Sequence, residues 1–176
     1  RYRELVERGF AEANFINDLG IRATDCGPGW VEAELDIQPR HLQQNGFIHA
    51  GVQTTLADHA AGAAAATLVA EGRLDERQRI AHYVPELERS AFGSATLRQV
   101  LDMTTGLAYS EDYADPNAEV WAHAKAGNPL PKPADYTGPR SYYAFLQTVQ
   151  LQGRHGAAFS YKTVNTDTLG WVIARV

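Results

Sequence analysis

Asp58 sits in a run of helix-forming residues two turns after Gly51, and that spacing could support acyl chemistry. The N-terminus of a helix beginning near Gly51 would offer free backbone N–H groups and a favourable dipole to a polarised carbonyl oxygen. A carboxylate at Asp58 could then act as general base on a water or as nucleophile on the carbonyl. Taken alone, an Asp in an alanine-rich helix is more often a solvated face residue, and His49, just before the helix, more often a capping or packing residue. Serine is the other candidate nucleophile, and it needs a neighbouring base to take its proton. Ser90, Ser94, Ser110, Ser141 and Ser160 are followed three positions on by Gly93, Leu97, Tyr113, Ala144 and Thr163, so none has the lysine of a Ser-x-x-Lys pair. No Gly-x-Ser-x-Gly elbow replaces it. His41, His49 and His59 do not form a His-x-x-x-His pair with a flanking Glu, and Cys26 is the single cysteine, so no metal and no cofactor is expected.

The elements that must position these groups follow from periodicity. Leu5, Val6, Phe10, Phe15, Ile16 and Leu19 lie near helical spacing and predict one amphipathic helix over residues 3–19, stopped by Gly20. Ile21 to Asp25, the turn formers Cys26-Gly27-Pro28-Gly29, and Trp30 to Ile37 with alternating Val31, Ala33, Leu35 and Ile37 predict a β-hairpin. A loop over 38–49 leads to one long helix from about Gly51 to Glu71, with Gly72 as its stop. Beyond it a short helix is expected over 97–103, little regular structure over 104–140, a helix over 142–149 and another over 165–176.

Bulk properties narrow the function classes. The 176 residues are 44% hydrophobic, enough for one ordinary core, and the formal charge of −5 has no basic stripe of the kind nucleic acid requires. The weakly polar run from Ala60 to Ala70 is about half the roughly 20 residues of a membrane span. No membrane association is expected, and the lone cysteine and the charged N-terminus point to a reducing, cytoplasmic setting. The only methionine is Met103, which fits an excised or processed product.

The segment His41-Leu42-Gln43-Gln44-Asn45-Gly46-Phe47-Ile48-His49-Ala50-Gly51 with Thr55-Leu56-Ala57-Asp58 resembles the signature of hotdog-fold acyl-CoA thioesterases of the phenylacetate-pathway type. The resemblance runs from about Phe10 to Thr67 and departs at Ala50, where that family more often has glycine. It implies Asp58 as base or nucleophile, Gly51 as carbonyl polariser, Asn45 and His49 as orienting groups, Gln44 and Gly46 as substrate contacts, and a homodimer in which Asp58 comes from the facing subunit.

From about Leu68 a second resemblance takes over. Val69-Ala70-Glu71-Gly72-Arg73-Leu74-Asp75, Tyr83-Val84-Pro85-Glu86-Leu87, Leu97 to Met103, Ser110-Glu111-Asp112-Tyr113-Ala114-Asp115-Pro116 and Phe159 to Asp167 resemble the aminohexanoate-oligomer hydrolases of the serine β-lactamase superfamily. That resemblance implies Tyr161 as the catalytic tyrosine that relays a proton to the leaving amine and Tyr113 as a contact to the substrate amide. At the family's spacing from Gly72 its Ser and Lys fall on Thr55 and Asp58, and an exposed carboxylate with a pKa near ~4 is too weak a base to replace lysine.

Together these readings predict an α+β chain in two pieces. Residues 1–67 would form a partial hotdog of helix, β-hairpin and central helix, fused through one long helix to a mainly helical and loop fragment of a β-lactamase-like fold over 68–176. The leading activity expected is thioester hydrolysis of an acyl-CoA at Asp58; the alternatives are a serine hydrolase of small amides or esters, inactive here for want of Ser-x-x-Lys, and a non-catalytic fusion or fragment.

Overall fold

A computed structural model describes residues 2–176 as two compact units, the first ending at Asp75 and the second spanning Glu76–Val176. The first unit opens with helix α1 (Tyr2–Ala11) and helix α2 (Asn14–Leu19), where periodicity had predicted one. Phe10 and Ile16 are both buried, yet on a continuous helix six residues separate them by about 120°. The break at Ala13, held by the Asn17 side-chain amide donating to Ala11 O at 2.8 Å, lets both reach one core. Phe15, predicted on the apolar face, is instead 63% exposed. Gly20 ends α2 at φ 80°, as its left-handed cap requires.

The hairpin forms as expected from strands β1 (Ile21–Gly27) and β2 (Trp30–Leu35), antiparallel, with a bulge between Ala23 and Asp25. Val31, Ala33 and Leu35 turn inward in alternation, while Ile37 lies beyond the strand and is exposed. Helix α3 (Ala50–Ala70) packs on both strands and on α1. Val6, Phe10, Ile16, Ile21 and Cys26 form the core, with Leu56 and Ala63 of α3 against it. The buried Thr67 hydroxyl of α3 accepts the Gly29 N–H at 2.8 Å and lies 3.0 Å from Gly27 O, which pins the hairpin turn to the helix. A hotdog needs a broad sheet around its central helix. Among the described residues this unit has two strands only, because the chain beyond α3 carries no further alternating apolar run.

The second unit is built from short helices. Helix α4 (Ile80–Tyr83) and 3-10 turns at Pro85–Leu87 and Ala91–Ser94 precede helix α5 (Leu97–Leu101), whose Thr96 and Gln99 make a reciprocal capping box. The stretch predicted irregular over 104–140 contains a two-residue strand β3 (Leu107–Ala108) and helix α6 (Glu119–Gly127). Helix α7 (Tyr142–Leu146) is shorter than expected, strand β4 (Gln150–Leu151) pairs with β3, and helix α8 (Thr163–Arg175) ends the chain. Phe92, Leu87, Leu97, Leu146, Val100 and Val164 are fully buried and make the centre of this unit.

Candidate functional site

In the first unit the thioesterase-type residues lie around the start of α3. His49 caps the helix: its Nδ1 accepts the Gly51 N–H at 2.9 Å. The Gly51 amide expected to polarise a carbonyl is therefore engaged by the His49 ring. Asn45 is exposed and donates its backbone N–H to Gln43 Oε1 at 2.6 Å; Gln44 is exposed, and Gly46 turns the loop at φ 81° with open space where a Cβ would stand. Asp58 is half-buried, one residue before His59, whose ring stands edge-on to Phe10 at 4.5 Å. Burial holds the His59 pKa below its usual value, against the opposing pull of the Asp58 charge.

In the second unit two motifs meet. The loop 110–116 carries Tyr113, and the segment 159–163 carries Tyr161 into α8. Lys162 Nζ donates to Tyr109 O at 2.8 Å, and the Thr163 N–H donates to Glu111 Oε1 at 2.6 Å, so the two segments are tied one residue after Tyr161 and two before Tyr113. The loop is stiffened from within: Asp112 Oδ1 accepts the Ala114 N–H, Asp115 Oδ1 the Asn117 N–H and Glu119 Oε2 the Ser110 N–H, each at 2.9 Å. Tyr113 is 66% and Tyr161 48% exposed.

Helix α6 supplies what sequence reasoning missed. Trp121 meets Tyr113 edge to face at 5.7 Å and donates its indole N–H to Asp115 O at 2.9 Å. Tyr113, Ala114, Pro116, Trp121 and Lys125 line an open groove of about 310 Å³. On the buried side of α6, His123 Nε2 and Asp167 Oδ2 of α8 are 2.6 Å apart, and the imidazole stacks on Tyr142 at 4.5 Å. Tyr109 stands edge-on to His123, its hydroxyl buried without a hydrogen-bond partner among the described residues. Burial pushes the Tyr109 phenol well above its ordinary pKa, so it stays neutral. The signal for His123 was faint: its helix is nine residues long, follows Pro116 and shows little amphipathic contrast.

The groove presents the touching rings of Tyr113 and Trp121 beside the Lys125 ammonium. Neither the groove nor the loop beside it contains the Ser-x-x-Lys pair, which is absent from the sequence. Residues 59–176 match the beta-lactamase family. The chain belongs to that family. The match takes in residues 59–67 of α3, which the sequence reading had assigned to the thioesterase piece.

This beta-lactamase-family chain is 40% identical over 116 residues to the 6-aminohexanoate-dimer hydrolase of Paenarthrobacter ureafaciens, covering 65% of the chain and 29% of that protein. A solved structure from Bacillus anthracis, provisionally named as a 6-aminohexanoate-dimer hydrolase, superposes with a TM-score of 0.57 at 33% identity, over 65% of this chain and 30% of that one. A Mycobacterium tuberculosis protein provisionally named as an esterase is 37% identical over 51 residues, 29% of this chain and 36% of its own length. The chain thus spans about a third of the length of the relatives it matches. These findings overturn the expectation of an acyl-CoA thioesterase with Asp58 at its centre: the family matched is the beta-lactamase family, and two of the relatives are named as 6-aminohexanoate-dimer hydrolases. Among the described residues no group of His, Cys, Asp and Glu could hold a metal ion, and no helix is long and apolar enough to cross a membrane.

Proposed function

We propose that this chain is the substrate-clasping part of a β-lactamase-type hydrolase of small linear amides, with esters as a secondary class. The observation that carries the reading is the 40% identity to a 6-aminohexanoate-dimer hydrolase over 116 residues, beside a family match over 59–176 that contains Tyr113 and Tyr161. In this reading Tyr113 contacts the substrate amide at the groove, and Tyr161 donates its phenolic proton toward the departing amine. The acyl-forming step belongs to a Ser-x-x-Lys pair, which these 176 residues do not contain, so the chain alone binds and does not acylate. A reducing, cytoplasmic setting is part of the same proposal, supported by Cys26 as the lone thiol.

The test pairs intact mass measurement after exposure to a fluorophosphonate probe with NMR titration by the linear 6-aminohexanoate dimer. The expected result is no covalent adduct together with saturable shifts at Tyr113 and Trp121. An adduct on any of the serines would overturn the non-acylating part, and a titration that leaves Tyr113 and Trp121 unmoved would overturn the amide-clasping part.

A further inference from the structure

The geometry points to Lys125 as the residue that selects carboxylate-terminated amides in the Tyr113–Trp121 groove, an inference that rests on the amide-hydrolase reading above. The groove of about 310 Å³ has room for a short aliphatic chain. Its aromatic wall is fixed, since the Tyr113 and Trp121 rings meet at 5.7 Å and the indole N–H is satisfied by Asp115 O. Methylene groups gain from burial against such ring surfaces.

Charge then decides what the far end of the chain is. The acidic side chains near the groove accept backbone amides, Glu111 from Thr163, Asp112 from Ala114, Asp115 from Asn117 and Glu119 from Ser110, and keep their negative charge, so Lys125 is the one cation among the lining residues that can receive an anion. Lys162 donates to Tyr109 O, and Lys132 to Asn128 O. Lys125 lines the groove and has neither an ion pair nor a hydrogen bond among the described residues. An ammonium on a flexible stem beside an aromatic slot is suited to a carboxylate carried on an apolar chain, and it gives a neutral amide of the same length nothing comparable. Lys125 also sits in the last turn of α6, where a cation favours the helix dipole, but that effect is indifferent to ligand.

The experiment uses the full chain labelled with nitrogen-15 and follows the three indole N–H signals, with that of Trp121 assigned by Trp121→Phe and those of Trp30 and Trp171 serving as controls of folding. Two probes are titrated, 6-acetamidohexanoate and its neutral counterpart 6-acetamidohexanamide. The expected result is that the carboxylate shifts the Trp121 signal with an affinity about 2- to 5-fold tighter than the neutral amide, the upper range of one exposed ion pair. Lys125→Gln removes that preference, and Lys125→Arg keeps it. Equal affinity for the two probes in the unaltered chain would overturn the role of Lys125, with no variant needed, and would leave the amide-clasping groove standing. A Trp121 signal unmoved by both probes would overturn the two readings together.

Discussion

His155 shows how much one half-buried ring can hold. Its Nδ1 accepts the Gly106 N–H at 3.0 Å, so the proton of the neutral ring is on Nε2, which lies 3.1 Å from both Ala91 O and Ser94 Oγ. Burial, the largest influence, lowers the pKa of His155, and the same holds for His59 in the first unit. A protonated Nδ1 would lose the Gly106 contact. Since the folded values lie below the unfolded value of about 6.5, the unfolded chain binds more protons between the two. Stability is therefore fully present above that pH and falls as pH drops through 6.5 toward the lowered folded values. Urea midpoints measured from pH 7.5 to 5 should decline over that window, and His155→Gln should show a shallower decline; an unchanged slope would refute the assignment. His123 makes the complementary case. Removing it with His123→Ala should cost about 2 kcal/mol, the worth of a buried hydrogen bond to a charged group, and should disturb the Tyr113–Trp121 groove through α6, which urea unfolding and the Trp121 indole signal would reveal. Little of this was readable beforehand, because His155 lies in a loop between Arg154 and Gly156 and His123 in a short helix with little amphipathic contrast.

At the scale of elements, legibility followed the strength of local physics. The hairpin was readable because Pro28 and Gly29, the latter at φ 83°, separate two runs with period two, and α3 because twenty-one residues rich in alanine have few alternatives. Helix α5 was expected over 97–103, and the structure closes its start with the Thr96–Gln99 capping box. The break between α1 and α2 was not readable, since either a continuous or a kinked helix satisfies the apolar spacing and only the shared core of Phe10 and Ile16 decides. Helix α6 was hidden for the opposite reason: its inward face is Val120, His123 and Ala126, two of them weakly apolar at best, and tertiary contacts from Asp167 and Tyr142 make up the difference. The contact between Thr67 and the hairpin gives the element-scale prediction. Thr67→Val keeps the shape but leaves the Gly29 N–H without its acceptor, and it should destabilise the first unit by about 1–3 kcal/mol in thermal or urea unfolding. A neutral effect would mean that packing of Leu68 against Gly29, not the hydroxyl, fixes the turn.

For the whole molecule the question is how two compact units share one chain. The first unit rests on the cluster of Val6, Phe10, Ile16, Ile21 and Cys26, on Val52, Ala64, Ala65 and Leu68 of α3 and on Leu74, and on one two-stranded sheet, which has little stability of its own without a helix against it. The second buries more and larger side chains, among them Phe92, Leu87, Leu97, Leu107 and Leu146, and ties its helices by His123–Asp167 and Arg175–Glu86. Burial of apolar surface is the main source of stability, so the first unit should unfold at lower denaturant than the second. Tryptophan separates them, because Trp30 belongs to the hairpin and Trp121 and Trp171 to α6 and α8. Fluorescence of a Trp30→Phe variant would then report the second unit alone, and its midpoint should lie above that of the hairpin signal obtained by difference. Coincident midpoints would instead show that the chain unfolds as one cooperative body.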